Sequence, residues 1–344
     1  WERFDYDKLM KTKLGKIITD ELGILSRVKD VVKLHGDASY RTYYRAILDD
    51  GRSFIIMQMP EGKSSASEEI TNFKGSQDEL PFINIDRYLK DCGIAVPDIY
   101  RYSPADKLMI IEDLGDELMA KGIENSPRSD WVKIYGRSVE LLARLQRTTG
   151  EKKDDSCIAF KRTFDATLLN WEFDHFREYG IEERLGIKLS ADDLSSFESI
   201  TRAISDEIES FEYVFTHRDF QSRNMILRGS DLYLIDFQDA LMGPRTYDLV
   251  ALLRDSYIKL DDSDVDLLIE NFASSMGIDC ERLKHEFFLV TVQRKLKDAG
   301  RFVYIDRVKG NSNYLQFIPT SLGYVKAALE KLDTYGEFLD LLNR

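Results

Sequence analysis

Cysteine is scarce in this chain. Cys92, Cys157 and Cys280 are the only three in 344 residues, odd in number and far apart. They form no Cys-x-x-Cys pair, which argues against a disulfide framework and a zinc site. Reduced thiols set the expected location in the cytoplasm. Long apolar runs are missing as well. No stretch of about 18 apolar residues occurs, so neither a membrane-crossing helix nor a membrane partner is expected. The N-terminus, Trp1-Glu2-Arg3-Phe4-Asp5-Tyr6-Asp7, is acidic and aromatic and resembles neither a signal nor a transit peptide. Positive charge is in deficit: 48 Lys and Arg face 61 Asp and Glu, for a net charge of −13. Phosphate backbones are bound by clustered Lys and Arg, so no nucleic-acid partner is expected. His35, His175 and His285 stand in unrelated contexts and suggest no metal site. Internal repeats and low-complexity tracts are absent.

What is present fits an ordinary globular chain, 43% hydrophobic and 32% charged, long enough for two lobes and expected as a monomer. Residues 5–25 carry Leu9, Leu14, Ile17, Ile18 and Leu22 at helical spacing, with Gly23 as the stop. Strand patterns follow at 31–34, 40–48 and 53–59, with Asp49-Asp50-Gly51 as a turn. A helix is expected from about residue 65 to 77 and another over 81–92, where Phe82, Ile85 and Leu89 share a face. Strands at 96–102 and 108–112 complete a five-strand sheet. Beyond Leu114-Gly115 the pattern changes to long helices: 131–148, 164–179, 192–208, 247–257, 263–276 and 283–304. Strand character returns only at 213–216, 225–228 and 232–235. The expected fold class is α+β, with a sheet-rich unit over 1–114 and a helical unit over 115–344.

The most specific feature lies in the second unit. His217-Arg218-Asp219-Phe220-Gln221-Ser222-Arg223-Asn224 has the form H-x-D-x-x-x-x-N, and Asp236-Phe237-Gln238 follows after a short hairpin pattern. In protein kinases this arrangement supplies a catalytic Asp and two magnesium ligands. Phosphoryl transfer needs a carboxylate to accept the proton of the attacking hydroxyl, and oxygen ligands to hold Mg²⁺ on the phosphates. A hairpin through residues 225–235 brings Asp236 beside Asn224. His217 is expected to bond the backbone of its own loop.

The first unit carries weaker signals. Gly36-Asp37-Ala38-Ser39-Tyr40-Arg41 sits at a strand–strand turn, where small residues let N–H groups approach phosphate oxygens and Ser39 adds a hydroxyl. Arg41, Tyr43 and Arg45 share one strand face, and Arg suits phosphate. Leu108–Gly115 is an apolar strand ending in Glu112, Asp113, Leu114 and a glycine, at the place where a kinase hinge bonds adenine. Gly36, Ser39, Arg41, Glu112 and Leu114 are therefore the expected nucleotide-binding positions.

These residues resemble the aminoglycoside-phosphotransferase branch of the two-lobed, protein-kinase-like fold. The resemblance rests on 217–224, on Asp236-Phe237-Gln238-Asp239-Ala240, and on Gly243-Pro244-Arg245-Thr246-Tyr247-Asp248-Leu249, and it runs from about residue 30 to about 320. Gly36–Arg41, Pro81-Phe82, Glu112–Asp116 and Arg218–Asn224 are similar to the bacterial anomeric kinases of cell-wall sugar recycling, which phosphorylate N-acetylmuramate and N-acetylglucosamine. The resemblance implies an antiparallel five-strand N-lobe, a mainly helical C-lobe, ATP and Mg²⁺ as cofactors and a small amino-sugar substrate. It implies Asp219 as catalytic base, Asn224 and Asp236 as metal ligands, and Asp248 as a structural acid holding the catalytic loop.

One departure matters. Kinases place a Lys on the third strand to pair the α/β-phosphates. Here that strand reads Ser53-Phe54-Ile55-Ile56-Met57-Gln58-Met59. Arg41, Arg45 and Lys63 are the candidate replacements. On the acceptor side, Gln221 either contacts the γ-phosphate or the sugar or braces the loop, and Arg294 on a late helix is the candidate for a sugar carboxylate. Trp171 and Tyr247 either stack on a sugar ring or pack the core. Two other readings stay open: a phosphotransferase for aminoglycosides, choline-like amines or other small alcohols, and a nucleotide-binding pseudokinase scaffold, motivated by the missing strand Lys.

Overall fold

The computed structural model describes residues 2–34, 41–59, 79–229 and 231–342. The helix expected at 65–77 lies outside them, as do Gly36, Ser39 and Lys63. Among the described residues, one compact unit comprises 2–34, 41–59 and 96–116, and the other takes 79–95 and everything from 117 onward.

The first unit opens with α1 (Glu2–Leu22), followed by β1 (Val28–Lys33), β2 (Thr42–Leu48) and β3 (Ser53–Gln58). Helix α2 (Pro81–Asp91) belongs to the second unit, ahead of the expected boundary at 114/115, and β4 (Ile99–Ser103) and β5 (Leu108–Glu112) return to the first. The strands form one antiparallel sheet in the order β1-β2-β3-β5-β4. Side chains alternate faces along each strand. Ala46 and Leu48, Phe54 and Ile56, and Leu108 and Ile110 all point to one face, where they pack with Leu14, Ile17 and Ile18 of α1. The spacing of those three helix residues builds the stripe that covers the sheet. Gly23, at φ +65°, ends α1 as expected. On the opposite face, Met57 pairs in register with Met109, and both are fully buried.

The second unit continues with α3 (Met119–Glu124), α4 (Arg128–Glu151), α5 (Ala166–His175) and α6 (Ala191–Glu209). Next come β6 (Tyr213–Thr216), β7 (Met225–Arg228), β8 (Asp231–Leu234) and β9 (Leu241–Pro244). Helices α7 (Tyr247–Leu253), α8 (Asp262–Met276), α9 (Cys280–Lys309), α10 (Ile318–Leu329) and α11 (Gly336–Leu342) complete it. Helix α9, 30 residues long, packs against α5, α7, α8 and α10. It is buried on most sides, which hides its amphipathic period. Gly300 lets α9 approach α5 closely: a Cβ there would lie 2.8 Å from the Phe176 Cα and 3.1 Å from the His175 carbonyl oxygen.

Several elements differ from the sequence reading. The helix expected over 164–179 ends at His175 and passes into a π-helical stretch, Phe176–Glu183. Helix α7 stops at Leu253 instead of 257, because the Asp255 carboxylate accepts the Tyr257 N–H and turns the chain. Strand β9 was not anticipated, since Gly243-Pro244 reads as a turn; it forms by pairing with β6. Helices α3, α10 and α11 were not anticipated either. The anticipated core of the fold class, a five-strand antiparallel sheet in one unit and a mainly helical second unit, is what the chain forms. Among the described residues, no helix is long and apolar enough to cross a membrane.

Candidate active site

Two short sheets set up the polar cluster of the second unit. Strand β6 pairs with β9, and β7 pairs with β8 as a hairpin. The loop 217–224 links β6 to β7, and 235–240 links β8 to β9. The hairpin extends one step beyond its strands, because the Ile235 N–H donates to the Asn224 carbonyl at 3.1 Å. Asp236 therefore follows directly on the residue paired with Asn224. Asn224 Nδ2 in turn donates to the Asp219 carbonyl at 2.9 Å. Asp219, Asn224 and Asp236 are thus brought into one neighbourhood.

Each aspartate precedes a buried phenylalanine. Phe220 and Phe237 are fully buried, and Phe237 packs on Phe82 of α2 at 4.8 Å between ring centroids. These rings anchor the backbone from which the acids project. The Asp219 side chain remains 40% exposed. The backbone around both acids is unusual. Arg218 has φ +75° and Asp236 φ +64°, a region that non-glycine residues seldom occupy. Such residues cost about 1–3 kcal/mol each and persist where the surroundings hold them, commonly at functional sites.

What holds them is visible. Asp248 of α7 accepts the His217 N–H at 2.6 Å and the Arg218 N–H at 2.9 Å. Arg294 of α9 donates from Nη1 to the Arg218 carbonyl at 2.7 Å, and its Nη2 lies 3.5 Å from Asp219 Oδ1. Ser222 donates to buried Asp255 at 2.6 Å, which fixes the turn before Asn224. Gln238 donates from Nε2 to Asp236 and to Asp239, both at 3.0 Å, while its carbonyl accepts from Arg162 at 3.1 Å. Burial pushes Asp248 up to about 7, against the two N–H bonds and the nearby Arg294. Burial drives His217 down to about 4, although Asp219 and the Ile235 backbone favour its charged form. The His217 ring meets Phe220 edge-on at 6.0 Å, and neither ring nitrogen makes a well-formed hydrogen bond among the described residues.

The sequence-derived candidates fall into two groups. Asp219, Gln221, Asn224, Asp236 and Arg294 belong to the second unit. Gln221 contributes its backbone to the loop turn, donating to the Asp219 carbonyl and accepting from Asn224, both at 2.9 Å. Arg294 is only 2% exposed and reaches the loop from α9. Tyr247 is fully buried, which rules out a stacking surface, and half-buried Trp171 stacks on His175 at 5.4 Å. Arg41, Glu112 and Leu114 belong to the first unit. Glu112 closes β5 against β3, and Leu114 is buried. Arg45 is taken up by two carboxylates: Nε lies 2.7 Å from Asp113, and both Nη atoms bond Asp116 at 2.9 Å. Sequence reasoning missed the roles of Ser222, Asp255 and Arg162, because the Ser222–Asp255 and Arg162–Gln238 contacts join distant residues and leave no local pattern.

The donor set suits a hard divalent cation. Asn224 Oδ1 is left as an acceptor once Nδ2 is engaged, and Asp236 adds carboxylate oxygen. No group of three His, Cys, Asp or Glu side chains positioned for a metal occurs among the described residues. Mg²⁺ needs none, since it commonly takes one or two protein oxygens and completes its shell with waters and substrate phosphates.

Residues 30–279 match the model of the phosphotransferase enzyme family, APH. Two similar proteins are N-acetylmuramate/N-acetylglucosamine kinases. The one from Pseudomonas putida is 25% identical over 89% of this chain and 85% of its own length, and the one from Pseudomonas aeruginosa is 26% identical over 91% and 88%. Among solved structures, the gentamicin complex of APH(2'')-IIa superposes with a TM-score of 0.60 at 14% identity, covering 91% of this chain and 95% of that one. ADP-bound APH(2'')-Ib gives 0.57 at 14% identity, covering 89% and 96%. The structures establish a shared fold. The chain belongs to the phosphotransferase enzyme family.

Proposed function

We propose that this member of the phosphotransferase enzyme family moves the γ-phosphoryl group of ATP to the anomeric hydroxyl of an amino sugar, N-acetylmuramate or N-acetylglucosamine. The names of the two relatives support the acceptor class, and their similarity extends over most of both chains. The observation that carries the reading is the exposed Asp219 carboxylate, set on strained backbone beside Asn224 and Asp236.

Asp219 accepts the proton of the sugar hydroxyl as that oxygen approaches phosphorus. A hemiacetal hydroxyl is more acidic than an ordinary alcohol, so a carboxylate suffices as base. Asn224 Oδ1 and the Asp236 carboxylate hold Mg²⁺, which neutralises charge on the phosphates when bound. Arg294 steadies Asp219 from below. Gln221, whose side chain makes no hydrogen bond among the described residues, turns to the phosphate or the sugar. Nucleotide binding falls to the lobe over 1–114, through Gly36, Ser39 and Arg41 for phosphates and the Glu112–Leu114 backbone for adenine; 115–344 provides the catalytic loop and acceptor site. Most of the rate comes from positioning and charge neutralisation.

The test is ATP-dependent phosphorylation of N-acetylmuramate and N-acetylglucosamine with Mg²⁺, the product position read by phosphorus NMR. An anomeric phosphate that disappears with chelator is the expected result. Turnover of aminoglycosides or choline with none of either amino sugar would overturn it. Nucleotide binding without turnover of any acceptor would return the scaffold reading.

A further inference from the structure

The turn before Asn224 is gripped at two successive residues. Ser222 donates to the Asp255 carboxylate at 2.6 Å, and the Arg223 guanidinium lies over the Tyr257 ring, 3.6 Å from its centroid. Both holders belong to one short segment, because Asp255 also accepts the Tyr257 N–H at 2.9 Å. Tyr257 is itself packed in a cluster of rings. Phe317, at the end of the turn Ser312–Phe317, meets it edge-on at 4.7 Å, and Phe302 of α9 lies 6.5 Å away. Phe302 in turn stacks on Tyr314 at 5.7 Å. Arg223 is also 5.9 Å from the Phe317 ring. Rings from three separate segments thus form one platform, and the arginine of the loop rests on it. Burial pushes the Tyr257 hydroxyl well above its ordinary value, so the ring is neutral and the attraction is that of a cation for a π face. A guanidinium suits such a face better than an ammonium does, and Arg223 is half-buried, which strengthens the contact.

We propose that Arg223 is a positioning residue for the metal ligand Asn224. The assignment rests on the functional reading above, in which Asn224 Oδ1 holds Mg²⁺. Asn224 follows Arg223 directly. Its N–H donates to the Gln221 carbonyl at 2.9 Å, which closes the turn over Ser222 and Arg223, and its Nδ2 donates to the Asp219 carbonyl at 2.9 Å. A shift of the backbone at 223 therefore carries Asn224 with it. The Ser222–Asp255 bond is a single point of attachment about which the turn can pivot. The Arg223–Tyr257 stack adds a second point on the adjacent residue, and two points fix the direction in which Asn224 projects. Groups that orient a metal ligand in this way set metal affinity without touching the metal.

The experiment measures ATP binding by the full chain by calorimetry, without acceptor, across a series of Mg²⁺ concentrations. Arg223→Met is expected to raise the Mg²⁺ concentration that half-saturates the metal-dependent gain in ATP affinity by about tenfold to a hundredfold, the usual scale for losing a group that orients a ligand. ATP binding in metal-free buffer should stay unchanged. A merely structural contact would lower stability and leave this Mg²⁺ requirement alone. Arg223→Lys should show a smaller rise, since it keeps a cation over the ring. Should Arg223→Met fold poorly, Tyr257→Leu tests the same contact from the other side and is expected to reproduce the rise, whereas Tyr257→Phe keeps the ring and should not. Asn224→Ala is the reference. If it raises the Mg²⁺ requirement while Arg223→Met or Tyr257→Leu leaves it unchanged, the positioning role is overturned and the functional reading stands. If Asn224→Ala also leaves it unchanged, Asn224 is not a metal ligand and both fail together.

Discussion

Asp248 holds His217 by its backbone: Oδ2 accepts the His217 N–H at 2.6 Å, and Oδ1 takes the next N–H, that of Arg218, at 2.9 Å. One buried carboxylate therefore fixes the entry to the 217–224 loop, including the residue at φ +75°. Asp248→Ala leaves two buried donors unsatisfied, which costs about 2–4 kcal/mol of unfolding free energy. Asp248→Asn should also destabilise, because its amide can turn only one acceptor toward the pair. Urea unfolding measures both. A loss under about 1 kcal/mol in the alanine variant would mean that the loop is held by other contacts.

His217 supplies a pH signature. Burial depresses its folded-state value to about 4, against 6.5 ordinarily. A depressed group contributes stability above its unfolded pKa and loses it as pH falls through the folded value. The window is therefore pH 6.5 down to 4, and the loss totals about 3 kcal/mol for a shift of this size. A His217→Gln variant lacks this dependence. Its unfolding free energy, followed by urea titration across that window, should fall less steeply than that of the unsubstituted protein. Parallel curves would show that His217 stays neutral in both states or is charged in both.

How much of this was legible in advance follows from the range of each interaction. The loop 217–224 and the 225–235 hairpin were readable because their signals are local: turn residues, alternating strands and a fixed spacing. Asp248 as a holder of the loop came with the family resemblance, and the two N–H bonds bear it out. Arg294 was singled out for the acceptor, but its contact with the loop was not legible, because α9 shows little amphipathic contrast from which to tell its inner face. The Ser222–Asp255 and Arg162–Gln238 contacts join residues 33 and 76 positions apart, and no local pattern marks them. Strand β9 was hidden by Gly243-Pro244, whose turn propensity is overridden by pairing with β6.

The first unit raises the question of the cation that replaces the missing strand Lys. Arg45 is poorly suited, since it is 18% exposed and bonded to Asp113, itself only 5% exposed, and to Asp116. The expected result is a division of labour. Arg45→Ala and Asp113→Ala should show a coupling of about 1–3 kcal/mol in a double-mutant cycle on stability. Arg41→Ala should raise KM for ATP more than Arg45→Ala does. If Arg45→Ala raises KM for ATP more than Arg41→Ala does, the phosphate contact belongs to Arg45 and the carboxylates release it on binding.

Arg294 and Asp219 provide the most direct test of the site. Asp219→Asn removes the proposed base and should cut kcat by roughly a hundredfold or more, the scale of general-base catalysis. Arg294 touches the loop carbonyl and Asp219 but is buried away from solvent, so the role proposed for it is positioning. Arg294→Met should lower kcat about tenfold to a hundredfold with KM for sugar and ATP little changed, because a misplaced base affects the chemical step more than binding. Arg294→Lys should recover part of the loss through its charge, but not the forked contact to two oxygens. The decisive measurement is the double variant. Residues that act through one group are strongly non-additive, so adding Arg294→Met to Asp219→Asn should cost little further kcat. A double variant slower by the full product of the two single effects would show that Arg294 acts on catalysis independently of Asp219, and the positioning role would be wrong.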